Sequence, residues 1–371
     1  MRIGLISVDF HPNVGGVAAH VVELGKALVK LGHEVHVVTL PIADERSRES
    51  EFHGMQVHRT PFPKQKPVYS WLTNWWLRQF LQLEPMDVLH VHGLRPVEAT
   101  RGLNVPVVFT NHTSGFLKRI QRGPGEHRRL ADRLKHVAHV LAPSDELVEA
   151  TKTVGYSGPV TFISNGVDTT RFKPGVPSHR ESWQATDDDV VVLLARRLVE
   201  KNGVTVFAEA VTQLKDLPVR VIFAGDGDDR GKVESIISTG GMQDACRFLG
   251  NVMNTDMPDI YRSADISVLP SFMEATSITG LESMATGLPL VGTRVGGIPA
   301  LIDDEVSGLL VDPGQPTQIA AAIRRLVESS ESRQRMGKRA RQRASELFSW
   351  DRIARETVAV YQQCSSQRAA A

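Results

Sequence analysis

Two glutamates, Glu274 and Glu282, stand eight positions apart between two short apolar runs. The first run, Ile266 to Leu269, predicts a buried strand, and a second strand is predicted from Leu290. A helix is predicted over Leu281 to Ala285, which places Glu282 about two helical turns beyond Glu274. Carboxylates so far apart cannot act on the same atom, as the two carboxylates that flank one bond in a glycoside hydrolase do. The two glutamates are therefore expected to have separate roles.

The residues between the two glutamates suit an anion. Thr276 and Ser277 are both residue types that cap helix N-termini. A cap there places the backbone amides of Ser277, Ile278 and Thr279 at the positive end of the helix, where phosphate groups bind readily. The stretch therefore predicts a phosphate-binding turn next to Glu274.

Basic residues follow another predicted strand. Val190 to Ala195 is apolar on both faces, as a central parallel strand is. The strand is followed by Arg196, Arg197 and Lys201. An arginine can bind two phosphate oxygens at once, and the helix dipole disfavours a basic cluster at a helix start. Either Arg196 or Arg197, together with Lys201, is therefore expected to face a phosphate group.

A glycine pair lies at the first predicted strand-to-helix turn. Residues 2 to 8 predict a strand, Val17 to Leu31 a helix and Glu34 to Thr39 a second strand, which together make a βαβ unit. Gly15 and Gly16 would let the backbone approach a ligand at this turn, although their spacing is not the Gly-x-Gly-x-x-Gly of dinucleotide-binding proteins. A plain tight turn is the alternative interpretation.

Histidines end the next two predicted strands. Asp87 to Val91 leads into His92, and Val105 to Thr110 leads into His112. Because the carboxyl ends of strands in a doubly wound sheet line its ligand crevice, both side chains are candidates for a site. A single histidine in a loop is more often structural, and His92 is the weaker candidate of the two.

The stretch around the glutamates resembles a known signature. Glu274-x7-Glu282, followed by Met284-Ala-Thr-Gly-Leu-Pro-Leu-Val291, is similar to the motif of retaining glycosyltransferases of family four (glycosyl transferases group 1), which have the GT-B fold. In that family the first glutamate faces the donor sugar and the second holds the ribose of the nucleotide. The family usually has Gly-Phe-Gly after the first glutamate, whereas this chain has Ala-Thr-Ser. This difference from the family pattern implies that the sugar pocket is narrower and more polar than in other members of the family.

Further roles follow from the same resemblance. In the family a glycine pair binds the donor diphosphate, a loop histidine contacts the donor sugar, and a loop corresponding to Val252 and Met253 meets the nucleotide base through its backbone. The family pattern of the phosphate arginine is Gly-Arg, then Lys-Gly, where this chain has Arg-Arg and Lys-Asn-Gly. The predicted catalytic residues are His112, Glu274, Arg196, Arg197 and Lys201, and the predicted donor-binding residues are Gly15, Gly16, Val252, Met253, Ser277, Ile278, Thr279 and Glu282.

The chain is long enough for two domains, because 371 residues exceed one ordinary domain. The resemblance implies an α/β protein with the GT-B fold, in which two doubly wound Rossmann-like domains face each other across a cleft. Residues 1–170 are the expected acceptor-side domain, ending after Asn165-Gly-Val-Asp168, and residues 171–347 the expected nucleotide-sugar domain. Residues 348–371 are expected to form a helix that crosses back to the first domain, with a frayed end from Gln363.

Composition excludes several classes of protein. A net charge of +1 gives no overall basic field to attract nucleic acid. Cys246 and Cys364 are too far apart for a metal-type spacing, which argues against a disulfide scaffold and against zinc. No Asp-x-Asp metal motif stands in a suitable loop, so neither a metal nor a cofactor is expected besides the donor. No apolar window reaches spanning length, and the expected location is the cytoplasm, with peripheral contact at the inner membrane face as an option.

Two stretches bear on the acceptor. Between Pro41 and Met86 the pattern is irregular, apart from a predicted helix in which Tyr69, Trp71 and Trp75 share one face. This helix either packs on the sheet or contacts an acceptor or a membrane. A basic run from Lys118 to Lys135 is either a solvated helix face or a surface for an anionic acceptor or lipid leaflet.

The expected activity is metal-independent transfer, with retention, of a hexose from a nucleoside-diphosphate sugar to an acceptor hydroxyl. Arginine and lysine would stabilise the departing diphosphate in place of a cation. A nucleotide-sugar epimerase on the same fold and a non-catalytic nucleotide-sugar-binding protein are the alternatives. The donor base, whether UDP, GDP or ADP, and the acceptor, whether a sugar, a lipid or a small molecule, stay open.

Overall fold

The computed structural model of the protein describes residues 1–13, 15–41, 49–62, 68–112 and 114–369. Thr113, beside His112, lies outside the described residues, as do Ala370 and Ala371 at the end of the chain. The chain forms two compact units, one of residues 1–166 with 350–371 and one of residues 167–349.

The boundaries of the units differ slightly from the expected ones. The first unit ends at Gly166 rather than at residue 170. The amide of Val167 donates to the carbonyl of Phe348 at 2.7 Å, and both side chains are buried in the core of the second unit. Trp350 is buried in the core of the first unit. The C-terminal segment of the first unit therefore begins at Trp350 rather than at residue 348.

The first unit contains an eight-stranded sheet. Its order is β3-β4-β2-β1-β5-β6-β7-β8, and only the pair β3–β4 is antiparallel. The strands are β1 Arg2–Ser7, β2 Glu34–Thr39, β3 Glu49–Phe52, β4 Met55–Arg59, β5 Val88–His92, β6 Val107–Thr110, β7 His139–Ala142 and β8 Val160–Phe162.

The antiparallel hairpin β3–β4 lies in the stretch that the sequence pattern left irregular. Its turn consists of His53 and Gly54, whose φ angles are 52° and 78°. Two consecutive positive φ angles are typical of the tight turn of a two-residue hairpin, which Asn-Gly usually provides. His-Gly is a weaker signal for such a turn, and the hairpin was therefore missed.

The second unit contains a six-stranded parallel sheet. Its order, β11-β10-β9-β12-β13-β14, is that of a doubly wound dinucleotide-binding sheet. Successive residues of β9 alternate between two buried clusters, because side chains alternate across a strand and both faces of the sheet are covered. The strands are β9 Val190–Ala195, β10 Val219–Ala224, β11 Cys246–Gly250, β12 Ile266–Leu269, β13 Leu290–Thr293 and β14 Gly308–Val311.

Helices connect the strands in both units. Those of the first unit, up to its boundary, are α1 Gly16–Lys30, α2 Val68–Leu83, α3 Leu94–Val97, α4 Ser114–Ile120, α5 Pro124–Leu134 and α6 Asp145–Thr153. Those of the second unit are α7 Val204–Val211, α8 Arg230–Thr239, α9 Met257–Arg262, α10 Ile278–Thr286, α11 Ile298–Leu301, α12 Pro316–Glu328 and α13 Ser330–Leu347, and the last helix of the chain is α14 Trp350–Ala369. Short 3-10 turns occupy Glu98–Thr100, Glu200–Asn202 and Gln243–Ala245.

Helix α14 packs against α1 in the first unit. Tyr361 and Cys364 are buried in that unit's core, and the Ser365 hydroxyl donates to the carbonyl of Asp87 at 3.3 Å. The expected fraying from Gln363 is therefore wrong as far as Ala369, because core contacts continue past Gln363.

Helix α2 presents two tryptophans to solvent. Trp71 is 71% exposed and Trp75 is 56% exposed, whereas Tyr69 is buried. The expectation that Tyr69 shares the face of the two tryptophans is wrong, because two positions along a helix correspond to about 200° of rotation. Among the described residues, no helix has the length and apolar character needed to cross a bilayer.

Candidate active site

An arginine and a glutamate meet at the centre of the second sheet. Strands β9 and β12 are adjacent, and Arg196 follows the first while Glu274 lies in the loop after the second. The Arg196 guanidinium donates from Nη1 to the Ser271 hydroxyl at 2.6 Å and from Nη2 to the Glu274 carboxylate. Both charged side chains are mostly buried. This is the point where the strand order reverses, which is where doubly wound sheets bind ligands.

The backbone of the Glu274 loop is held by glycines that approach it closely. A Cβ atom on Gly203, at φ +67°, would overlap the carbonyl of Pro270, and one on Gly296, at φ +51°, would overlap the carbonyl of Glu274. The amide of Gly297 donates to that same Glu274 carbonyl at 3.0 Å. Glycine is required at positions 203 and 296 for both space and backbone conformation. The position of Glu274 is thus fixed by neighbouring strand ends.

Helix α10 begins where its cap was predicted. The Ser277 hydroxyl accepts from the amide of Gly280 at 3.1 Å, so Ser277 is the N-cap, whereas the Thr276 hydroxyl donates to the carbonyl of Ala275. The helix therefore starts at Ile278, ahead of the predicted start at Leu281. Its first turn contains no acidic residue, so the amides there keep the positive end of the helix dipole.

Glu282 lies on α10 and is buried. The hydroxyl of Tyr261, from α9, donates to Glu282 Oε2 at 3.0 Å, and Tyr261 is completely buried. Burial, followed by the charge of Glu282, raises the pKa of Tyr261 well above its ordinary value, so the phenol remains a neutral donor. Sequence reasoning missed Tyr261, since no motif marks it; the only signal is that a buried carboxylate needs a hydrogen-bond donor.

Three of the remaining predicted residues of the second unit, Arg197, Lys201 and Met253, have exposed side chains. Arg197 and Lys201 have exposed side chains, and the carbonyl of Lys201 accepts from the amide of Phe272 in the Glu274 loop at 2.9 Å. The structure thus brings Arg196, rather than Arg197, to Glu274. Val252 and Met253 follow β11, the edge strand, and the side chain of Met253 is 69% exposed.

In the first unit the two predicted histidines meet. His92 ends β5 and His112 follows β6, and His92 Nδ1 lies 2.9 Å from His112 Nε2. His20, on the buried face of α1, packs edge-on against His112 with ring centroids 4.4 Å apart. Burial holds the pKa values of His92 and His112 well below the ordinary value, so both rings are neutral at pH 7. His20 was missed because it lies within a helix and outside the motifs.

The glycine pair lies at the start of α1. Gly16 is the first residue of the helix, and Gly15 precedes it with an extended φ of 169° that any residue can adopt. A Cβ atom on Gly15 would have no described atom within 4 Å. Neither the backbone conformation nor packing against the described residues therefore requires glycine at position 15. The space beside Gly15, at the start of α1, could accommodate a ligand.

Both parts of the chain match the models of known protein families. Residues 176–343 match the family model of glycosyl transferases group 1, and residues 14–171 match that of glycosyltransferase family 4. The chain belongs to the family-four glycosyltransferases. The resemblance seen in the sequence is thereby confirmed.

Relatives of this glycosyltransferase cover nearly its whole length. An uncharacterized glycosyltransferase of Methanocaldococcus jannaschii is 27% identical over 97% of this chain and 98% of the relative. A D-inositol 3-phosphate glycosyltransferase of Geodermatophilus obscurus is 29% identical over 100% of this chain and 91% of the relative.

Solved structures establish the fold. Sucrose-phosphate synthase from Thermosynechococcus elongatus has a TM-score of 0.84 at 22% identity and covers 99% of both chains. Anabaena HepE, solved with UDP and glucose, has a TM-score of 0.79 at 19% identity, covering 98% of this chain and 100% of HepE. The predicted α/β class and GT-B fold of the glycosyltransferase are confirmed.

Proposed function

We propose that this glycosyltransferase moves a hexose from a nucleoside-diphosphate sugar to an acceptor hydroxyl, with retention of configuration and without a metal ion. The observation that carries the proposal is the contact of Arg196 with Glu274 and Ser271 at the strand-order reversal of the second sheet. It joins a cation suited to phosphate with the carboxylate of the family motif. Solved proteins of the same fold contain UDP, UDP-glucose or ADP, which supports this donor class.

The two glutamates have different tasks in this proposal. Glu274 faces the donor sugar from a loop, and Glu282 holds the ribose from within α10, where Tyr261 orients its carboxylate. Ser277, Ile278 and Thr279 are at the N-terminus of the same helix and bind the diphosphate between sugar and ribose. The order of the three groups along the chain follows the order of sugar, diphosphate and ribose in the donor.

Side-chain cations take the place of a metal. Arg196 is mostly buried and carries a guanidinium that can bind two phosphate oxygens, and Lys201 stands on the following turn. Together they stabilise the charge that develops as the diphosphate departs. The acceptor hydroxyl attacks the sugar from the same face that the diphosphate leaves, and the departing diphosphate oxygen receives the proton of the hydroxyl.

The remaining residues contact other parts of the donor in this proposal. His112, Gly15 and Gly16 in the first unit contact the sugar and the diphosphate, while Val252 and Met253 supply backbone contacts to the base.

A panel of UDP-, GDP- and ADP-sugars tests the donor assignment. Ligands that bind the folded chain raise its unfolding temperature, and a ligand at 100 times its Kd stabilises by about 2.7 kcal/mol. The proposal predicts one stabilising nucleotide class and slow hydrolysis of that donor in the absence of acceptor. Interconversion of the donor sugar would favour the epimerase alternative instead, and binding without any turnover would favour the binding protein.

The exposed surface of the first unit supports an anionic or lipid-linked acceptor. Trp71 and Trp75 are exposed on α2, and Leu83 at its end is 81% exposed. In the basic run Arg119 and Arg129 pair with Glu126, and Arg133 pairs with Glu98. The other basic residues of the run have exposed side chains; they are Lys118, Arg122, Arg128 and Lys135.

Liposome flotation tests this membrane contact. Each basic residue near an anionic surface contributes about 1 kcal/mol, so four give weak and salt-sensitive binding. Binding to anionic vesicles is expected at low salt, with loss at high salt and reduction in a Trp71→Ser, Trp75→Ser double variant. A matched control is Trp183→Phe, since Trp183 is buried in the second unit. Absence of binding at low salt would leave a soluble acceptor.

A further inference from the structure

Three histidine rings converge in the first unit. His20 comes from α1, His92 from the end of β5 and His112 from the loop after β6. One ring nitrogen of each lies within 4.8 Å of the other two. His20 and His92 are buried, and His112 is half-buried. Three imidazoles brought together from three separate elements form a set of nitrogen donors of the kind that binds divalent transition metals.

One nitrogen of the His20 ring is held by a side-chain amide. Its Nδ1 lies 2.7 Å from Oδ1 of Asn165, an acceptor, so Nδ1 carries the hydrogen and Nε2 keeps its lone pair. Metal-bound histidines commonly donate their second nitrogen in this way, which fixes the tautomer and the ring plane.

His92 and His112 already share one contact between ring nitrogens. His92 Nδ1 lies 2.9 Å from His112 Nε2, and one hydrogen lies between them. His92 Nε2 is buried and has no hydrogen-bond partner among the described residues. When an ion takes the place of the shared hydrogen, that hydrogen can move to the other nitrogen of the same ring. Both rings then remain neutral, so neither ring adds a positive charge to that of the ion.

A second group of possible ligands is less suitable. Glu34, His36 and Glu84 also lie close together in the first unit. The guanidinium of Arg2, however, forms ion pairs with both carboxylates, and Glu34 also contacts His36 Nε2 at 2.9 Å. A cation at this position would have to displace the guanidinium. The histidine cluster contains no such competing cation among its described contacts.

We propose that His20, His92 and His112 bind one divalent transition-metal ion of the zinc class, with Asn165 orienting His20. Zn–N distances of about 2.1 Å in a tetrahedral site place ligand nitrogens about 3.4 Å apart. The His92–His112 pair is already at this scale, and the third nitrogen has to move closer by about 1.4 Å at most from the observed limit of 4.8 Å. Three protein ligands leave a fourth position for water.

The ion would inhibit the enzyme. This consequence, unlike metal binding itself, rests on the proposed function, in which His112 contacts the donor sugar. A nitrogen that holds a metal is no longer available to the sugar. Zinc is therefore expected to inhibit transfer and a chelator to restore it, which agrees with catalysis that needs no metal.

Metal binding can be measured without any nucleotide sugar. The full chain, first treated with chelator and then dialysed, is titrated with Zn²⁺ by calorimetry and with Co²⁺ by visible absorption. One ion per chain is expected, with the absorption of tetrahedral Co²⁺. Asn165→Ala is expected to weaken binding about 10- to 100-fold, as loss of a ligand-orienting partner does, and His112→Gln and His20→Gln by about 100-fold or more. His36→Gln is the matched control and is expected to bind normally.

Several results would overturn the proposal. These are the absence of stoichiometric binding, unchanged affinity in His112→Gln, or loss of binding in His36→Gln. Thermal unfolding of each variant shows whether it folds. The variants at His112 and Asn165 keep the two buried ligands, His20 and His92, in place. Stoichiometric binding without inhibition would keep the metal site and overturn the role of His112 in transfer, so the two hypotheses fail separately.

Discussion

Replacing Glu282 separates its observed contact with Tyr261 from the contact with the ribose that we propose for the same carboxylate. In Glu282→Ala the buried hydroxyl of Tyr261 loses an acceptor at 3.0 Å. An unsatisfied buried donor costs about 1–3 kcal/mol, so the free energy of unfolding should fall by that amount. Under the proposed function the variant also loses charged hydrogen bonds to the ribose, each worth about 1.5–3 kcal/mol. Nucleoside-diphosphate affinity should therefore fall about 10- to 150-fold.

Tyr261→Phe is the matched control. It removes the same hydrogen bond but leaves the carboxylate of Glu282 in place. The free energy of unfolding should fall to a similar extent, while the affinity for the nucleoside diphosphate falls less than in Glu282→Ala. Chemical denaturation and calorimetric titration with UDP, GDP and ADP measure the two quantities on the same samples.

Two results would refute the reasoning. If Glu282→Ala binds the nucleoside diphosphate as tightly as the unmodified enzyme, Glu282 does not hold the ribose. If Tyr261→Phe loses as much affinity as Glu282→Ala, the affinity loss follows from disturbed packing around α10 rather than from the missing carboxylate. The assignment requires a larger loss of affinity in the glutamate variant than in the tyrosine variant.

Three further predictions concern the same site. Glu274→Gln should lower turnover about 100-fold, as loss of one transition-state contact does, with a smaller effect on nucleoside-diphosphate affinity; equal effects on both would contradict a role at the sugar. Steady-state activity in excess chelator should be complete, because Arg196 and Lys201 balance the diphosphate, and rescue by added magnesium would contradict this. Gly296→Ala should destabilise the fold by more than about 1 kcal/mol and lower activity, since its Cβ overlaps the Glu274 carbonyl. Gly231→Ala is its control, because a Cβ there meets no described atom within 4 Å; equal unfolding curves for the two variants would argue against the packing explanation.

Much of the fold follows from local patterns. The strands Glu34–Thr39 and Val190–Ala195 were predicted with their observed bounds, because each contains closely spaced valines and is bounded by a local signal, Gly32 before the first strand and Arg196 after the second. A helix cap was predicted at Thr276 or Ser277, because the hydroxyl of a cap acts on an amide two or three residues later, and Ser277 is the residue that forms it. These features depend on residues that are close together in the sequence, so they can be predicted without knowledge of the fold.

Features that depend on distant contacts could not be predicted from the sequence. The choice between Arg196 and Arg197 rests on Ser271 and Glu274, which reach the arginine only through the pairing of β9 with β12. The same holds for Tyr261, which meets Glu282 because α9 packs against α10. Helix α14 extends past Gln363, where Cys364 packs in the core of the first unit, a contact that the polar C-terminal sequence does not reveal.

The most direct test of the central claim is to follow the anomeric carbon of the donor during turnover. The enzyme is incubated in excess chelator with the nucleoside-diphosphate sugar that gives the largest thermal stabilisation, and the first-formed sugar product is observed by NMR before mutarotation. Retaining transfer predicts consumption of the donor, release of the nucleoside diphosphate and a first product with the donor's anomeric configuration. The opposite anomer, or a new sugar still attached to the nucleotide, would contradict the account.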